Sequence, residues 1–149
     1  NVPKAMLPAI EKIKQEPAAA GPPFEIDIRL VLGVKPMMKF DKTELVVKPG
    51  AAVELAFTNN DPMPMMHNLV LVKPGARLGI VTAAATMGVA GMANSFVPKS
   101  DKVIAYTPLV LTGNTYKLYF KAPTDPGKYE YICTYPGHGL TMWGILHVK

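Results

Sequence analysis

Cysteine, histidine and charged residues are all scarce in this 149-residue chain. Charged residues make up 18% of the composition and hydrophobic residues 49%, which excludes an intrinsically disordered chain. The only cysteine is Cys133, so no intramolecular disulfide can form. A structural zinc site takes four cysteine or histidine ligands, and a total of one cysteine and three histidines argues against one.

The surplus of basic residues is not concentrated in any segment. The formal net charge is +5 and the sequence pI is about 9.3, yet the lysines are scattered and no run of five basic residues occurs. No aromatic RNA-binding motif accompanies them, so nucleic acid is not expected as a partner. The charge is equally consistent with a solvated surface and with an acidic redox partner.

The longest uncharged segment is a poor candidate for a membrane-spanning helix. Residues 78–98 carry no charge and are long enough to cross a bilayer. Their side chains are mostly small or polar, however, and insert weakly. Because strand-like segments flank them, a short helical flap at about 76–96 is predicted instead.

Fifteen prolines and twelve glycines divide the rest of the chain into short segments. From Phe24 onwards, apolar and polar residues alternate with the period of two that is typical of half-buried strands. This pattern predicts an all-β Greek-key sandwich or barrel over residues 24–149. About eight strands are predicted, at 24–32, 42–48, 52–58, 67–73, 102–107, 115–122, 127–133 and 143–149.

The first 23 residues differ in composition from this domain. Residues 5–16 predict a short amphipathic helix, and the following PAAAGPP is typical of a stiff linker. Residues 1–23 are therefore interpreted as an N-terminal arm, with a remnant of cloning as the alternative.

The most specific signal is the segment CTYPGHGLTM, residues 133–142. It places Cys133, His138 and Met142 at C-x4-H-x3-M spacing, with a Pro-Gly turn between the first two. A set of two histidines, one cysteine and a weak axial methionine is the ligand set of blue copper. The second histidine must come from elsewhere: His67, which opens a predicted strand, is the preferred candidate, and His147 in the last strand is the alternative.

Other chemistries fit these residues less well. A Cys-His nucleophile needs an accessible thiol and a third, orienting group, whereas here a methionine converges on the site. A dinuclear copper centre needs two cysteines. A multicopper oxidase has histidines flanking its cysteine, but Ile132 and Thr134 flank Cys133. Paired carboxylates, a phosphate-binding glycine loop and a Ser-His-Asp set were not found, so no enzyme is expected.

The same residues resemble those of azurin-type cupredoxins, including the auracyanin-like ones. Residues 131–138, with Met142 and the closing strand, are similar to the azurin C terminus. Residues 66–71 resemble the strand that carries azurin's first histidine, and residues 102–107 resemble the segment after its helical flap. The resemblance covers residues 24–149 and implies a cupredoxin fold and one type 1 copper that shuttles single electrons by Cu(II)/Cu(I) cycling. The implied ligands are His67, Cys133, His138 and Met142.

The resemblance also implies roles for neighbouring residues. Asn68 is expected to join the two ligand segments by a side-chain hydrogen bond near Thr134. The backbone N–H groups of Asn68 and Tyr135 are expected to donate to the Cys133 sulfur and so tune the potential, while Pro136 has no N–H to offer. A weak contact of the Met66 carbonyl with copper is expected opposite the axial methionine.

Two departures from azurins leave the redox potential and the partner open. The azurin disulfide cannot exist here, and Leu69 stands where azurins often bury a tryptophan. The single tryptophan of this chain is Trp143, directly after the axial methionine.

An uncharged surface around His138 is the expected electron exit, because its ring lies in a loop of small residues. The expected patch contains His138, Leu140, Pro136, Met63 and Met65, with Met37 or Met87. The expected partners are a redox donor and a redox acceptor protein, and the protein is expected to be monomeric. The expected location is the periplasm or cell envelope of a bacterium, with a membrane tether through a missing N-terminal region.

Two alternatives stay open at this level. The Met63–His67 segment, with Met37, Met38 and Met87, is rich in methionine and suits the receipt of Cu(I) by a copper carrier. The Pro-rich arm also suits a detached electron-accepting domain of a larger enzyme.

Overall fold

The computed structural model describes residues 21–149, and the helix predicted at 5–16 lies outside the described residues. Within that range the chain forms ten strands and two short helices. They are β1 Ile28–Leu32, β2 Val34–Lys35, β3 Lys39–Phe40, β4 Glu44–Val47, β5 Ala52–Thr58, β6 Val70–Val72, α1 Arg77–Ala85, α2 Val89–Ala93, β7 Val103–Tyr106, β8 Thr115–Lys121, β9 Gly127–Ile132 and β10 Trp143–Val148.

The strands form two sheets and a small hairpin. One sheet has the order β1-β5-β8 and the other the order β4-β10-β9-β6-β7, while β2 pairs only with β3. The β1–β5 and β4–β10 pairs are parallel, and the others are antiparallel. The predicted all-β Greek-key sandwich with a short helical flap is therefore confirmed.

Alternating side chains of the two sheets fill the core. In β10 the buried residues Gly144, Leu146 and Val148 alternate with partly exposed ones, which is the period-two pattern of a strand with one buried face. The ring of Phe40 packs edge-on against Phe57 and Tyr131. Complete burial of a side chain of this size contributes about 1.5–3 kcal/mol.

Gly144 is required where β9 and β10 meet. It lies directly opposite Tyr131, and a Cβ atom at this position would lie 2.3 Å from the tyrosine Cζ. The ring therefore lies across the glycine, and its hydroxyl donates to the Lys42 carbonyl over 2.7 Å. This packing fixes the register of the two strands that flank the Cys133–Met142 loop.

The flap, residues 76–96, contains α1 and α2 and lies between β6 and β7 in the chain. Its buried residues Ala76 and Ile80 pack against Val70, Val72 and Ile132 in a second, smaller core. No helix within residues 21–149 is long and apolar enough to cross a membrane.

All eight predicted strands have counterparts, but some boundaries were wrong. The first strand begins at Ile28 and not at residue 24, and the strand predicted at 67–73 is limited to Val70–Val72. His67 forms an isolated bridge with Val110 instead, because the backbone groups of these two residues bond each other. The β2–β3 hairpin was missed, since two-residue strands are too short to show any alternation.

Candidate metal centre

His67, Cys133 and His138 bring three donor atoms to one buried point. Their ligand atoms all lie within 4.8 Å of one another. The Cys133 Sγ is 3.7 Å from the Nδ1 atom of each histidine, and the two Nδ1 atoms are 3.2 Å apart. Cys133 and His67 are completely buried, and His138 is 5% exposed.

Asp61 sets the orientation of His67. Its Oδ2 lies 2.7 Å from the His67 Nε2. Burial alone would raise the pKa of Asp61, but hydrogen bonds from His67 and the Met63 N–H, and charge interactions with His67 and His138, hold this pKa below its ordinary value. The ionised carboxylate keeps the imidazole proton on Nε2, so the Nδ1 lone pair faces Cys133.

The protonation of the other two donors follows from their burial. Burial raises the pKa of the Cys133 thiol to about 12, although backbone N–H groups of Asn68 and Tyr135 donate to the sulfur and oppose the rise. Burial also lowers the pKa of His138 to about 4, and the charge of His67 acts in the same direction against that of Asp61. At neutral pH His138 is therefore an uncharged imidazole, and a metal would displace the thiol proton of Cys133.

This arrangement fits a copper ion. Two imidazole nitrogens that both carry lone pairs repel each other at 3.2 Å unless a proton or a cation lies between them. Two imidazole nitrogens and one thiolate sulfur are the in-plane donors of a type 1 copper site, and a thioether completes it weakly along the axis. The residues that the structure brings together are the ones that this metal prefers.

The loop after β9 returns Met142 to the side of Cys133. The Cys133 N–H donates to the Met142 carbonyl at 3.0 Å, and the Met142 N–H donates to the His138 carbonyl at 2.8 Å. Gly137 has a φ of 86°, which suits glycine and turns the chain before His138. The Met142 side chain is completely buried in the same cluster as Cys133.

Asn68 connects the two halves of the site. Its Oδ1 accepts from the Thr134 N–H, and its Nδ2 donates to the Thr134 Oγ1, both over 2.8 Å. The same Nδ2 donates to the Ser95 carbonyl at 2.8 Å, which ties the end of the flap to the site. The structure thus contains the contact with Thr134 that the family resemblance implied.

The structure also locates the remaining residues that the sequence singled out. Pro136 is exposed, and Met66 is half-buried next to His67; the contact of its carbonyl with copper stays a prediction. His147 lies in β10 with its Nε2 2.9 Å from Glu44 Oε1, and it does not join the donor cluster.

The residues of the expected exit patch differ in exposure. Leu140 is 65% exposed and Met63 57% exposed, whereas Met65 is half-buried.

The exposed edge of His138 is narrower than the sequence suggested. The Tyr135 ring lies beside the imidazole with their centroids 4.9 Å apart. The Phe96 ring in turn packs edge-on against Tyr135, at 5.4 Å between centroids. These aromatic rings from the loop and the flap shield much of the imidazole from solvent.

Three supporting residues were not predicted. The sequence pattern assigns no role to Asp61 or Asn59, yet Asn59 Nδ2 donates to the Met65 and Val110 carbonyls, each at 2.8 Å. A carboxylate six residues before a candidate histidine ligand was the available signal. Arg77 in α1 donates to the Gly139 carbonyl at 3.1 Å and stacks 4.1 Å over the Trp143 ring.

Comparison with known proteins agrees with this site. Residues 29–149 match the family of copper-binding proteins described as plastocyanin/azurin. Auracyanin-A of Chloroflexus aurantiacus is 39% identical over 112 residues, which are 75% of this chain and 68% of that protein. Azurin-1 of Alcaligenes xylosoxydans xylosoxydans is 34% identical over 119 residues, which are 73% and 88% of the two chains.

Solved structures give the same result. The structure of auracyanin A, a blue copper protein from Chloroflexus aurantiacus, superposes with a TM-score of 0.74 at 36% identity, over 83% of this chain and all of that one. Auracyanin B also gives a TM-score of 0.74, at 32% identity, over 85% of this chain and 91% of that one. With the donor cluster and the family match in agreement, this chain belongs to the plastocyanin/azurin family of copper-binding proteins and is a type 1 copper electron-transfer protein.

Proposed function

We propose that this protein shuttles single electrons between two redox proteins, with one copper held by His67, Cys133, His138 and Met142. The observation that carries the proposal is the convergence of three buried donor atoms within 4.8 Å. When bound, copper supplies the reversible Cu(II)/Cu(I) couple. The protein supplies a donor set that is acceptable to both oxidation states, and a site that excludes water.

Rigidity of the site supports a carrier rather than an enzyme. Hydrogen bonds of Asn68 and Asp61, together with backbone bonds of the Cys133–Met142 loop, hold the donor residues in place. A buried donor set that is held in this way leaves little to rearrange when an electron arrives, and it leaves the metal remote from a substrate. We propose that the protein has no enzymatic activity of its own.

The electron leaves and enters, in this proposal, at the patch around His138. Its imidazole has a small exposed edge, whereas His67 has none. Leu140 and Met63 of this patch are exposed and uncharged, so a partner can approach closely and exclude water. Weak, small contacts of this kind are typical of electron-transfer encounters.

The proposal extends to the charge of the partner, the cellular location, the oligomeric state and the N-terminal arm. The net charge of +5 supports an acidic partner, and the relationship to bacterial auracyanins and azurins supports a periplasmic or cell-envelope location. We also propose a monomer in which residues 24–149 form the cupredoxin domain and residues 1–23 an arm that leads to a membrane tether. Auracyanin-B is a precedent for a longer protein of this kind, because the match covers only 47% of its length.

A copper carrier is the second candidate function, because Met37 and Met63 expose their side chains at 83% and 57%. The experiment that separates the two functions measures electron self-exchange and copper exchange on the same sample. An electron carrier exchanges electrons rapidly between its oxidised and reduced forms and keeps Cu(I) in the presence of a chelator. Rapid loss of Cu(I) with slow electron self-exchange would support the copper carrier and refute our proposal.

A further inference from the structure

The β2–β3 hairpin departs from the usual rules of strand pairing. It places Lys35 directly opposite Lys39, and both side chains are exposed. Like charges in opposed cross-strand positions are destabilising. Neither lysine forms an ion pair with any part of residues 21–149, whereas the nearby Lys42 lies 3.7 Å from Asp41 and donates to the Val31 carbonyl.

The turn of the same hairpin is strained. Met37 and Met38 have φ values of 70° and 55°, in the left-handed region that favours glycine and asparagine. Met37 is also 83% exposed, although a large apolar side chain gains no stability from such a position. A strained turn and an exposed apolar side chain that bring no gain in stability are typical of functional surfaces.

The hairpin is attached to the metal-binding loop. The Thr141 Oγ1 donates to the Met38 carbonyl at 3.1 Å, and Thr141 directly precedes Met142. Lys39, Thr141 and Trp143 line one groove of about 390 Å³. Glu44 lines it too, but its carboxylate lies 2.9 Å from His147. The lysines of the hairpin are therefore held next to the loop that carries the metal ligands.

We propose that the hairpin segment Lys35–Lys39 is the docking surface for an acidic redox protein. This inference rests on the electron-carrier function proposed above and adds where the partner binds. The two lysines steer an acidic surface towards the copper loop, and Met37 offers an apolar contact that excludes water. The net charge attracts an acidic protein to the molecule as a whole. The hairpin lysines determine which face of the molecule the acidic protein contacts.

The test compares two double variants that remove the same charge from opposite ends of the molecule. Lys35→Gln with Lys39→Gln alters the hairpin. Lys48→Gln with Lys128→Gln is the matched control, because these exposed lysines lie where β4 ends and β9 begins, at the end of the sheet remote from Met142. Relief of the repulsion between Lys35 and Lys39 favours correct folding of the hairpin variant.

The first probes are two small reductants, the anion Fe(II)–EDTA and the cation hexaammineruthenium(II). Reduction of the Cu(II) protein is followed by stopped flow, as the loss of its visible band, from about 10 mM to about 300 mM ionic strength. For the anion at low salt, we expect the hairpin variant to react about three- to tenfold more slowly than the wild type, with a weaker dependence on salt. We expect the control to react nearly as the wild type, and the cation to react slightly faster with the hairpin variant.

A second probe is hexaglutamate, titrated into the Cu(I) protein and followed by the NMR shifts of backbone amides. The expected shifts are centred on residues 35–40 and are lost in the hairpin variant. Equal rate effects of the two double variants would show that only net charge matters and would overturn the proposal. Binding to anionic phosphatidylserine vesicles that depends on Lys35 and Lys39, without any effect on the reductants or the peptide, would overturn it in favour of a membrane contact.

Failure of this proposal is distinguishable from failure of the carrier function. Both double variants keep all four proposed ligands, so both should keep the visible band and the potential of the wild type. Absence of the band from the wild type itself would refute the copper assignment and not the docking surface.

Discussion

The Nε2 of His67 lies 2.7 Å from the Oδ2 of Asp61, and both side chains are buried. This pair places the imidazole proton away from Cys133 and directs the Nδ1 lone pair towards it. Loop residues 59–61, which are remote from the Cys133–Met142 loop in sequence, therefore help to prepare the site. The role of the carboxylate can be tested apart from the metal ligands.

Asp61→Asn is expected to weaken copper binding and to raise the reduction potential. An amide of nearly the same shape does not hold the imidazole proton as a carboxylate does, and a loss of about 10–100-fold in metal affinity is typical of such partners. Loss of a negative charge near the site also disfavours Cu(II) relative to Cu(I). Competition with a chelator and voltammetry measure the two effects, with the exposed Asp101→Asn as control. Unchanged values for Asp61→Asn would show that the pair has no influence on the metal.

Copper uptake by the metal-free protein is expected to release the thiol proton of Cys133 and to strengthen with pH. Because burial raises the pKa of the Cys133 thiol to about 12, the thiol is protonated throughout the range from pH 6 to pH 9. The pKa of His138 is lowered to about 4, so this ring has no proton to release in that range. The affinity for Cu(II) should rise about tenfold per pH unit, because each bound copper displaces one proton. Calorimetry in buffers of different ionisation enthalpy counts the proton, and affinity independent of pH would contradict a buried, protonated thiol.

Met142→Leu is expected to keep the visible colour and to raise the potential. Leucine occupies a similar volume, so the fully buried position should lose less than about 1.5 kcal/mol of folding stability. The substitution removes a weak axial donor that favours Cu(II), and axial donors tune the potential of such sites. Met142→Gln supplies a stronger donor and should lower the potential. If voltammetry detects no shift in either variant, the side chain does not face the metal.

Leu140→Glu tests the proposed electron exit. Two molecules that meet at this patch would bring two introduced carboxylates together, and we expect electron self-exchange to slow by about tenfold or more at low salt. The visible spectrum should change little, because the 65% exposed side chain points away from the buried ligands. Val46→Glu adds the same charge at an exposed position of β4 and is the control. Equal self-exchange in both variants would place the exit elsewhere, with the surface near Trp143 as the next candidate.

The copper ligands were largely predictable because three of them share one short loop. The spacing of Cys133, His138 and Met142 restricts the chemistry by itself, and His67 followed from its place after a turn and before a strand. The spacing cannot show hydrogen bonds that tertiary packing creates. Asp61 could not be identified from the sequence, because its contact with His67 depends on the fold of the intervening loop.

The fold was predictable to a similar degree. Alternation of apolar and polar residues identified the long strands, such as β5, whose predicted bounds are the observed ones. The β2–β3 hairpin and the contact of Arg77 with the Gly139 carbonyl could not be predicted. The hairpin strands have two residues each, and the Arg77 contact joins groups 62 positions apart.

The most direct test of the copper assignment is the absorption and EPR spectrum of the copper-loaded protein, compared with that of Cys133→Ser. A thiolate bound to Cu(II) in a trigonal site should give an intense visible charge-transfer band and a narrow copper hyperfine splitting. The serine variant should lose the band and give the wider splitting of ordinary Cu(II) sites. An intense band that persists without the Cys133 sulfur, or a wild-type protein that binds Cu(II) without any such band, would contradict the type 1 site.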